Sequence, residues 1–254
     1  MVKSYLDGKV YWIILDKPSK LNSFDSETLQ ELRNRTLEGC RSIASLVAIR
    51  GEGRLFSAGM DLEEIANANT AGDVRRLFER FKEFLEAVVS CRGSIAGFDS
   101  WKPVVVVLNG PAVAGGAELA LAADLVYAVK GSWLQWPELR WGLIPPMLAG
   151  LTAQNGSARL AQLGLAMERV GVEEARSLGI VSSVFEDLDS ALEAVTRLAA
   201  QVESAGGQAV DAFLGPLRRD KMSWLERAKD LVALAEREEF IEEARAFLAK
   251  SKKQ

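Results

Sequence analysis

The 254-residue chain holds 48% hydrophobic and 26% charged residues, a balance that excludes both a disordered chain and a disulfide-dense secreted scaffold. A formal charge of −4 and a pI of about 5.2 exclude a global attraction to nucleic acid or anionic lipid, so the basic end at Lys250, Lys252 and Lys253 reads as a solvated tail. Histidine is absent, which excludes Ser-His-Asp triads, Cys-His pairs and His-Glu-x-x-His zinc sites and leaves acid–base chemistry to carboxylates, Lys, Tyr, Cys or the backbone.

In chain order, Met1 to Val10 carries Lys3, Ser4, Asp7 and Lys9 and lacks the apolar stretch of a secretory signal. No stretch reaches the ~18 uninterrupted apolar residues of a membrane span, so a cytoplasmic protein is expected. Cys40 and Cys91 stand far apart without Cys-x-x-Cys spacing and read as two reduced thiols. Buried strands are predicted at Val10 to Leu15, Leu46 to Arg50, Val104 to Leu108, Leu125 to Val129 and Ile180 to Val184, each a short β-branched or apolar run. Between them Val74, Leu77, Phe78, Phe81, Phe84, Leu85, Val88 and Val89 form an apolar stripe at helical spacing.

Strands separated by helices predict an α/β chain with a largely parallel sheet. From about Val172 the pattern is mostly helical, with segments at Asp189 to Glu203, Met222 to Glu239 and Ile241 to Lys250. No fixed-period repeat or flexible tether divides the chain. The expected organisation is a core over residues 1–190 and a helical region over 191–254 that covers the site and joins subunits.

Strand Val104 to Leu108 runs into Asn109-Gly110-Pro111-Ala112-Val113-Ala114-Gly115-Gly116-Ala117-Glu118, a strand, a glycine turn and a helix start. A phosphate loop would need Lys and a hydroxyl where Gly116 and Ala117 stand, so nucleotide hydrolysis is excluded. What remains is a helix start whose free N–H groups suit an oxyanion; the plainer alternative is a tight strand-to-helix turn. Glu118 is the one charged residue between Val113 and Ala123. Burying a carboxylate there is costly, and desolvation would raise its pKa into the range useful to a base, although a paired structural carboxylate is the alternative.

Leu46 to Arg50 similarly leads into Gly51-Glu52-Gly53-Arg54-Leu55-Phe56-Ser57-Ala58-Gly59-Met60-Asp61-Leu62. Asp61 suits a helix N-cap, and the loop could supply the second donor of an oxyanion hole. Phe56 to Asp61 and Asn109 to Glu118 together are thus expected to form a backbone oxyanion pocket with a glutamate beside it. A third segment sets Trp133, Trp136 and Trp141 around Glu138. The indoles would partly dry that carboxylate, unless it is a surface residue paired with Arg140.

These segments resemble the signatures of the enoyl-CoA hydratase/isomerase, or crotonase, superfamily. Phe56-Ser57-Ala58-Gly59-Met60-Asp61-Leu62 is similar to its Phe-x-Ala-Gly-x-Asp-Leu, and Asn109 to Leu119 to its Asn-Gly-x-Ala-x-Gly-Gly-Gly-x-Glu-Leu, with Ala114 for one glycine. Pro137-Glu138 followed by Gly142-Leu143-Ile144-Pro145 resembles a third motif, and weaker similarity extends from Leu15-Asp16-Lys17-Pro18 to Ala246-Phe247-Leu248.

The resemblance implies a crotonase-like (ClpP/crotonase) fold of repeated β-β-α turns with a helical C-terminal region, assembled as a homotrimer or a dimer of trimers. It implies an acyl-CoA substrate, no metal, no cofactor beyond the coenzyme A of the substrate, and neither a nucleic-acid nor a membrane partner. Ala58 and Gly115 would donate to the thioester oxygen, and Ala58, Gly59, Met60, Asp61 and Gly115 would line the substrate path. Phe247 and Lys250 would reach coenzyme A from a neighbouring subunit. Glu118 and Glu138 match the glutamate pair of members that hydrate enoyl thioesters, Glu118 acting on the water and Glu138 on C2.

Two segments depart from the family pattern: Pro146-Met147-Leu148-Ala149-Gly150 replaces a glycine-rich run, and Ala166-Met167-Glu168 stands where Thr-Gly is common. Both are expected to border the acyl pocket. The alternatives to hydration are another crotonase reaction (double-bond isomerisation, decarboxylation or thioester hydrolysis) and a non-catalytic binding homologue.

Overall fold

In the computed structural model, which describes residues 1–251, eleven strands and eleven helices are described. The strands are β1 (Val2–Asp7), β2 (Val10–Leu15), β3 (Leu46–Gly51), β4 (Arg92–Ile95), β5 (Phe98–Trp101), β6 (Val104–Leu108), β7 (Ala112–Val113), β8 (Leu125–Val129), β9 (Trp133–Gln135), β10 (Arg169–Gly171) and β11 (Ser183–Phe185). The helices are α1 (Ser26–Arg41), α2 (Leu62–Ala66), α3 (Ala71–Val89), α4 (Gly115–Ala122), α5 (Pro146–Asn155), α6 (Ala158–Leu165), α7 (Val172–Ser177), α8 (Leu188–Ala205), α9 (Gly207–Leu225), α10 (Ala228–Ala235) and α11 (Glu238–Ser251). Lys252 and Lys253 of the predicted basic tail lie outside the described residues; Lys250 is exposed.

The main sheet has the order β1-β2-β3-β6-β8-β11, with β1 antiparallel to β2 and the remaining pairs parallel. Residues of β6 show why its sequence is apolar without interruption. Val104, Val106 and Leu108 enter one core, while Val105 and Val107 enter another formed with Ala191, Val195 and Ala199 of α8. A parallel strand covered on both faces must be apolar at both phases of its two-residue period.

A second sheet, β10-β9-β7, runs beside the first. After β6 the chain enters β7, then α4, returns to the main sheet as β8 and goes out again to β9. This is the β-β-α spiral of the crotonase fold. Isolated bridges Ser57↔Ala112 and Phe24↔Met60 tie the loops after β3 and before α1 into the same stack. Loops from successive turns therefore open at one edge, and that edge carries the site.

The predicted strands appear with their expected cores, except that Ile180 to Val184 becomes β11 at Ser183–Phe185; Ile180 and Val181 are buried in the preceding turn. The apolar stripe lies on α3, capped by a reciprocal Thr70–Asp73 box. The predicted helix Met222 to Glu239 is instead the end of α9, all of α10 and the start of α11. Position 190, the expected limit of the core, falls inside α8, which packs on the main sheet.

The two cysteines are not free thiols. Cys40 and Cys91 are joined as a disulfide with Cα atoms 5.4 Å apart, linking the end of α1 to the residues after α3. Folding brings together positions that their separation of 51 residues keeps apart in the sequence. No helix among the described residues is long and apolar enough to cross a membrane.

Candidate active site

A cleft of about 500 Å³ opens at the loop edge and is lined by Ala58, Met60, Asp61, Gly115, Glu118 and Glu138. All three segments singled out in the sequence thus meet in one place. Gly59 is buried behind the lining; its φ of +82° favours glycine, and an added Cβ would lie 2.8 Å from Gly115 N. The two loops touch at this point.

The backbone donors are not the expected pair. Ala58 N–H donates to the Leu21 carbonyl at 3.0 Å, so it is unavailable to an oxyanion, and the role predicted for it is corrected. Two residues on, Met60 N–H meets no acceptor among the described residues, and neither does Gly115 N–H at the first turn of α4. The signal for Met60 was its place between a glycine that turns the chain and an N-capping aspartate. The Ala58–Leu21 bond, a long-range contact, was not readable from the motif. Asp61 borders the cleft, but its Oδ1 accepts from Glu63 and Glu64 N–H and its Oδ2 from Ser23 Oγ at 2.7 Å. It holds α2 in place, as its N-cap pattern predicted.

Ala114, N-cap of α4, has φ +49° and ψ −123°, a backbone region that disfavours a side chain. Its N–H donates to Gln135 O at 2.9 Å. That bond to the second sheet holds the turn which turns Gly115 N–H loose.

Glu118, one turn into α4, is 1% exposed. Its carboxylate accepts N–H bonds from Met147 at 2.7 Å and Leu148 at 3.2 Å. Both donors lie in the first turn of α5, where N–H groups have no intrahelical acceptor and the helix dipole favours negative charge. Pro146 begins that helix without forfeiting a donor. The Trp136 indole, fully buried, also favours the charged form without meeting hydrogen-bond geometry. Desolvation outweighs these contacts and pushes Glu118 up to about 7.

Glu138 begins the 3-10 turn Glu138–Trp141 and is 7% exposed. Among the described residues no ion pair joins it to Arg140, which is exposed. Burial first, and the neighbouring charge of Glu118 second, hold its carboxyl well above the usual carboxylate range. Its Oε2 is buried without a hydrogen-bond partner among the described residues. The two glutamates therefore form an unequal pair: with one charge to share, the carboxylate bearing two N–H donors keeps it and the other stays protonated.

The surroundings divide the remaining predictions. Trp141 lines the cleft, Trp136 backs Glu118, and Trp133 lies away from it beneath Arg169, 4.2 Å from guanidinium carbon to ring centroid. Pro146 and Ile144 line the cleft, whereas Ala166-Met167-Glu168 do not, so that segment does not border the pocket as expected. Phe247 lines the cleft of its own chain, packing edge-on to Trp141 at 5.4 Å; Lys250 is not in the lining.

Residues 6–254 match the model of the enoyl-CoA hydratase/isomerase family. The chain belongs to that family. It is 31% identical to a protein of Bacillus subtilis (strain 168) named a probable enoyl-CoA hydratase, over 92% of this chain and 90% of that one. It is 28% identical to the 1,2-epoxyphenylacetyl-CoA isomerase of Escherichia coli (strain K12), over 98% and 95%. The crystal structure of an enoyl-CoA hydratase from Bacillus halodurans superposes with a TM-score of 0.81, at 22% identity, covering 96% of this chain and 99% of that one. The last likeness shows the crotonase fold; the family as a whole contains both hydratases and isomerases.

Proposed function

We propose that this member of the enoyl-CoA hydratase/isomerase family hydrates 2-enoyl-CoA thioesters. The observation that carries the reading is the unequal glutamate pair: a base with two N–H donors and a partnerless buried acid share one cleft. Addition of water needs one group to take a proton and another to give one in the same passage, and the pair supplies both at neutral pH.

Water between the carboxylates gives a proton to Glu118 as its oxygen bonds to C3. The 2,3 π electrons move onto the thioester oxygen, which the N–H groups of Gly115 and Met60 hold; losing one such donor costs ~3–4 kcal/mol of transition-state stabilisation. The enolate then collapses and C2 takes the proton of Glu138. Glu118 ends protonated and Glu138 charged, and net transfer of that proton from Glu118 to Glu138 restores the pair. Coenzyme A enters as part of the substrate, and the addition is redox-neutral. The family resemblance also supports a homotrimer or a dimer of trimers, tested by light scattering.

Loss of the enoyl ultraviolet absorbance of crotonyl-CoA tests the reading. Glu118→Gln and Glu138→Gln each lower the rate by ~10²–10⁴-fold; retained hydration in both variants overturns the mechanism. A 24% identical relative from Arabidopsis thaliana, named a Delta(3,5)-Delta(2,4)-dienoyl-CoA isomerase, favours one alternative, movement of a double bond by proton transfer at the same pocket. Product mass separates the two, because isomerisation adds no water.

A further inference from the structure

Beyond the two glutamates, the cleft is walled by aromatic side chains in an unbroken series. Phe81 stands against Gly115, 3.2 Å from where a Cβ would be. Phe78 lies one turn away on the same face of α3. Phe240 of α11 follows at 6.1 Å between ring centroids, then Trp141 at 5.9 Å, then Phe247 at 5.4 Å. The wall therefore leads from the oxyanion donor, past the turn that carries Glu138, to the mouth. Phe78, Phe81 and Phe240 are buried, while Phe247 is 41% exposed.

Charge in the lining is arranged in the opposite way. Lys20 and Glu63 form an ion pair with each other, Asp61 caps α2, and Arg140 is exposed. No cation in the lining lies among the buried aromatic residues. An apolar chain would be desolvated against this wall at a gain, whereas a carboxylate ending part-way along it, among Phe78, Phe81 and Phe240 and short of Arg140 and the mouth, would lose its water without a partner.

Resting on the hydratase reading above, we propose that the aromatic wall selects enoyl-CoA thioesters with an extended, uncharged apolar or aryl acyl group and rejects those ending in a carboxylate. Phe247 and Trp141 form the outer part of that acyl site. The wall is assembled within one chain, since α11 folds back on α2 and α3, held by Arg245 donating to the Ala66 and Ala68 carbonyls.

The test has one arm that requires no turnover. Calorimetric titration with saturated thioesters predicts that octanoyl-CoA binds at least roughly 60-fold more tightly than acetyl-CoA, the gain from burying half of its six additional methylenes at about fourfold each, while adipoyl-CoA gains nothing over acetyl-CoA. In the second arm, kcat/KM for 2-octenoyl-CoA and cinnamoyl-CoA exceeds that for crotonyl-CoA. Phe247→Ala lowers the octenoyl-to-crotonyl ratio by ~10-fold, and Phe247→Leu restores most of it. Binding preference without hydration overturns the hydratase reading and leaves the acyl site standing. Equal binding of acetyl-CoA and octanoyl-CoA, a preference for adipoyl-CoA, or an unchanged ratio in Phe247→Ala overturns the acyl site.

Discussion

At the scale of single residues, function here depends on backbone groups left without partners and carboxylates left without water. Gly115 and Met60 N–H have no acceptor among the described residues because Ala114 and Gly59 both turn the chain with positive φ. Glycine adopts such a turn freely and alanine does not. Ala114→Gly should therefore raise stability by about 1 kcal/mol, read as a higher urea midpoint at unchanged slope. A lower midpoint would show that Ala114 Cβ contributes packing that outweighs the strain. Glu118 was legible in the sequence because a lone charge in an apolar helix demands a reason. Glu138 was legible only through its family motif, because from the residues alone its indole-rich neighbourhood suits a surface ion pair with Arg140 equally well. Met60 was expected in the substrate path but not as an oxyanion donor, because backbone donors have no side-chain signature.

At the scale of elements, the site is held by helix ends. The first turn of α5 grips Glu118, and Gly150 on that helix packs so closely on Trp224 of α9 that a Cβ would come within 2.2 Å of the indole. On the far side of α9, buried Arg218 donates to the Val88 and Val89 carbonyls at the end of α3, to Lys102 O and to Asp124. Asp124 in turn accepts from Val104 N–H at the start of β6 at 2.7 Å. One guanidinium joins a helix end, a strand start and the end of α4. Arg218→Met leaves Asp124 and three carbonyls short of donors, and should cost ~3–5 kcal/mol in chemical denaturation; a cost under about 1 kcal/mol would show the network to be dispensable. The apolar runs of β2, β3 and β6 announced themselves because both faces are buried, and that of β8 because one face is buried and the other half-buried. The short strands β7, β9 and β10, of two or three residues each, carry too few residues to show a period.

At the scale of the whole molecule, the spiral accepts an unfavourable carboxylate pair in its core. The native state holds protons on Glu118 and Glu138 at pH values where the unfolded chain releases them near 4.5. It therefore binds more protons than the unfolded chain above that pH, and stability falls as pH rises. For Glu118 the fall runs from 4.5 to about 7 and amounts to about 3 kcal/mol; Glu138 extends it higher. Relative to the parent, Glu118→Gln/Glu138→Gln should thus gain stability from pH 4.5 to 8 while matching it near 4.5. A constant difference across that range would place both carboxyls at their ordinary pKa.

The fold class, the main strands with their largely parallel sheet and the three loops of the site follow from residue patterns and family signatures, whereas the strand order does not. The Cys40–Cys91 bridge and the in-chain placement of Phe247 required the long-range packing of α1 on α3 and of α11 on α2.

The proposed division of labour between the two glutamates is tested most directly by product analysis in deuterated water. Mass spectrometry of an enoyl-CoA after turnover should show the addition of one water and a solvent deuteron at C2, and both features should be lost in Glu118→Gln and in Glu138→Gln. A product isomeric with the substrate, or undiminished hydration in the Glu138→Gln variant, would contradict the account.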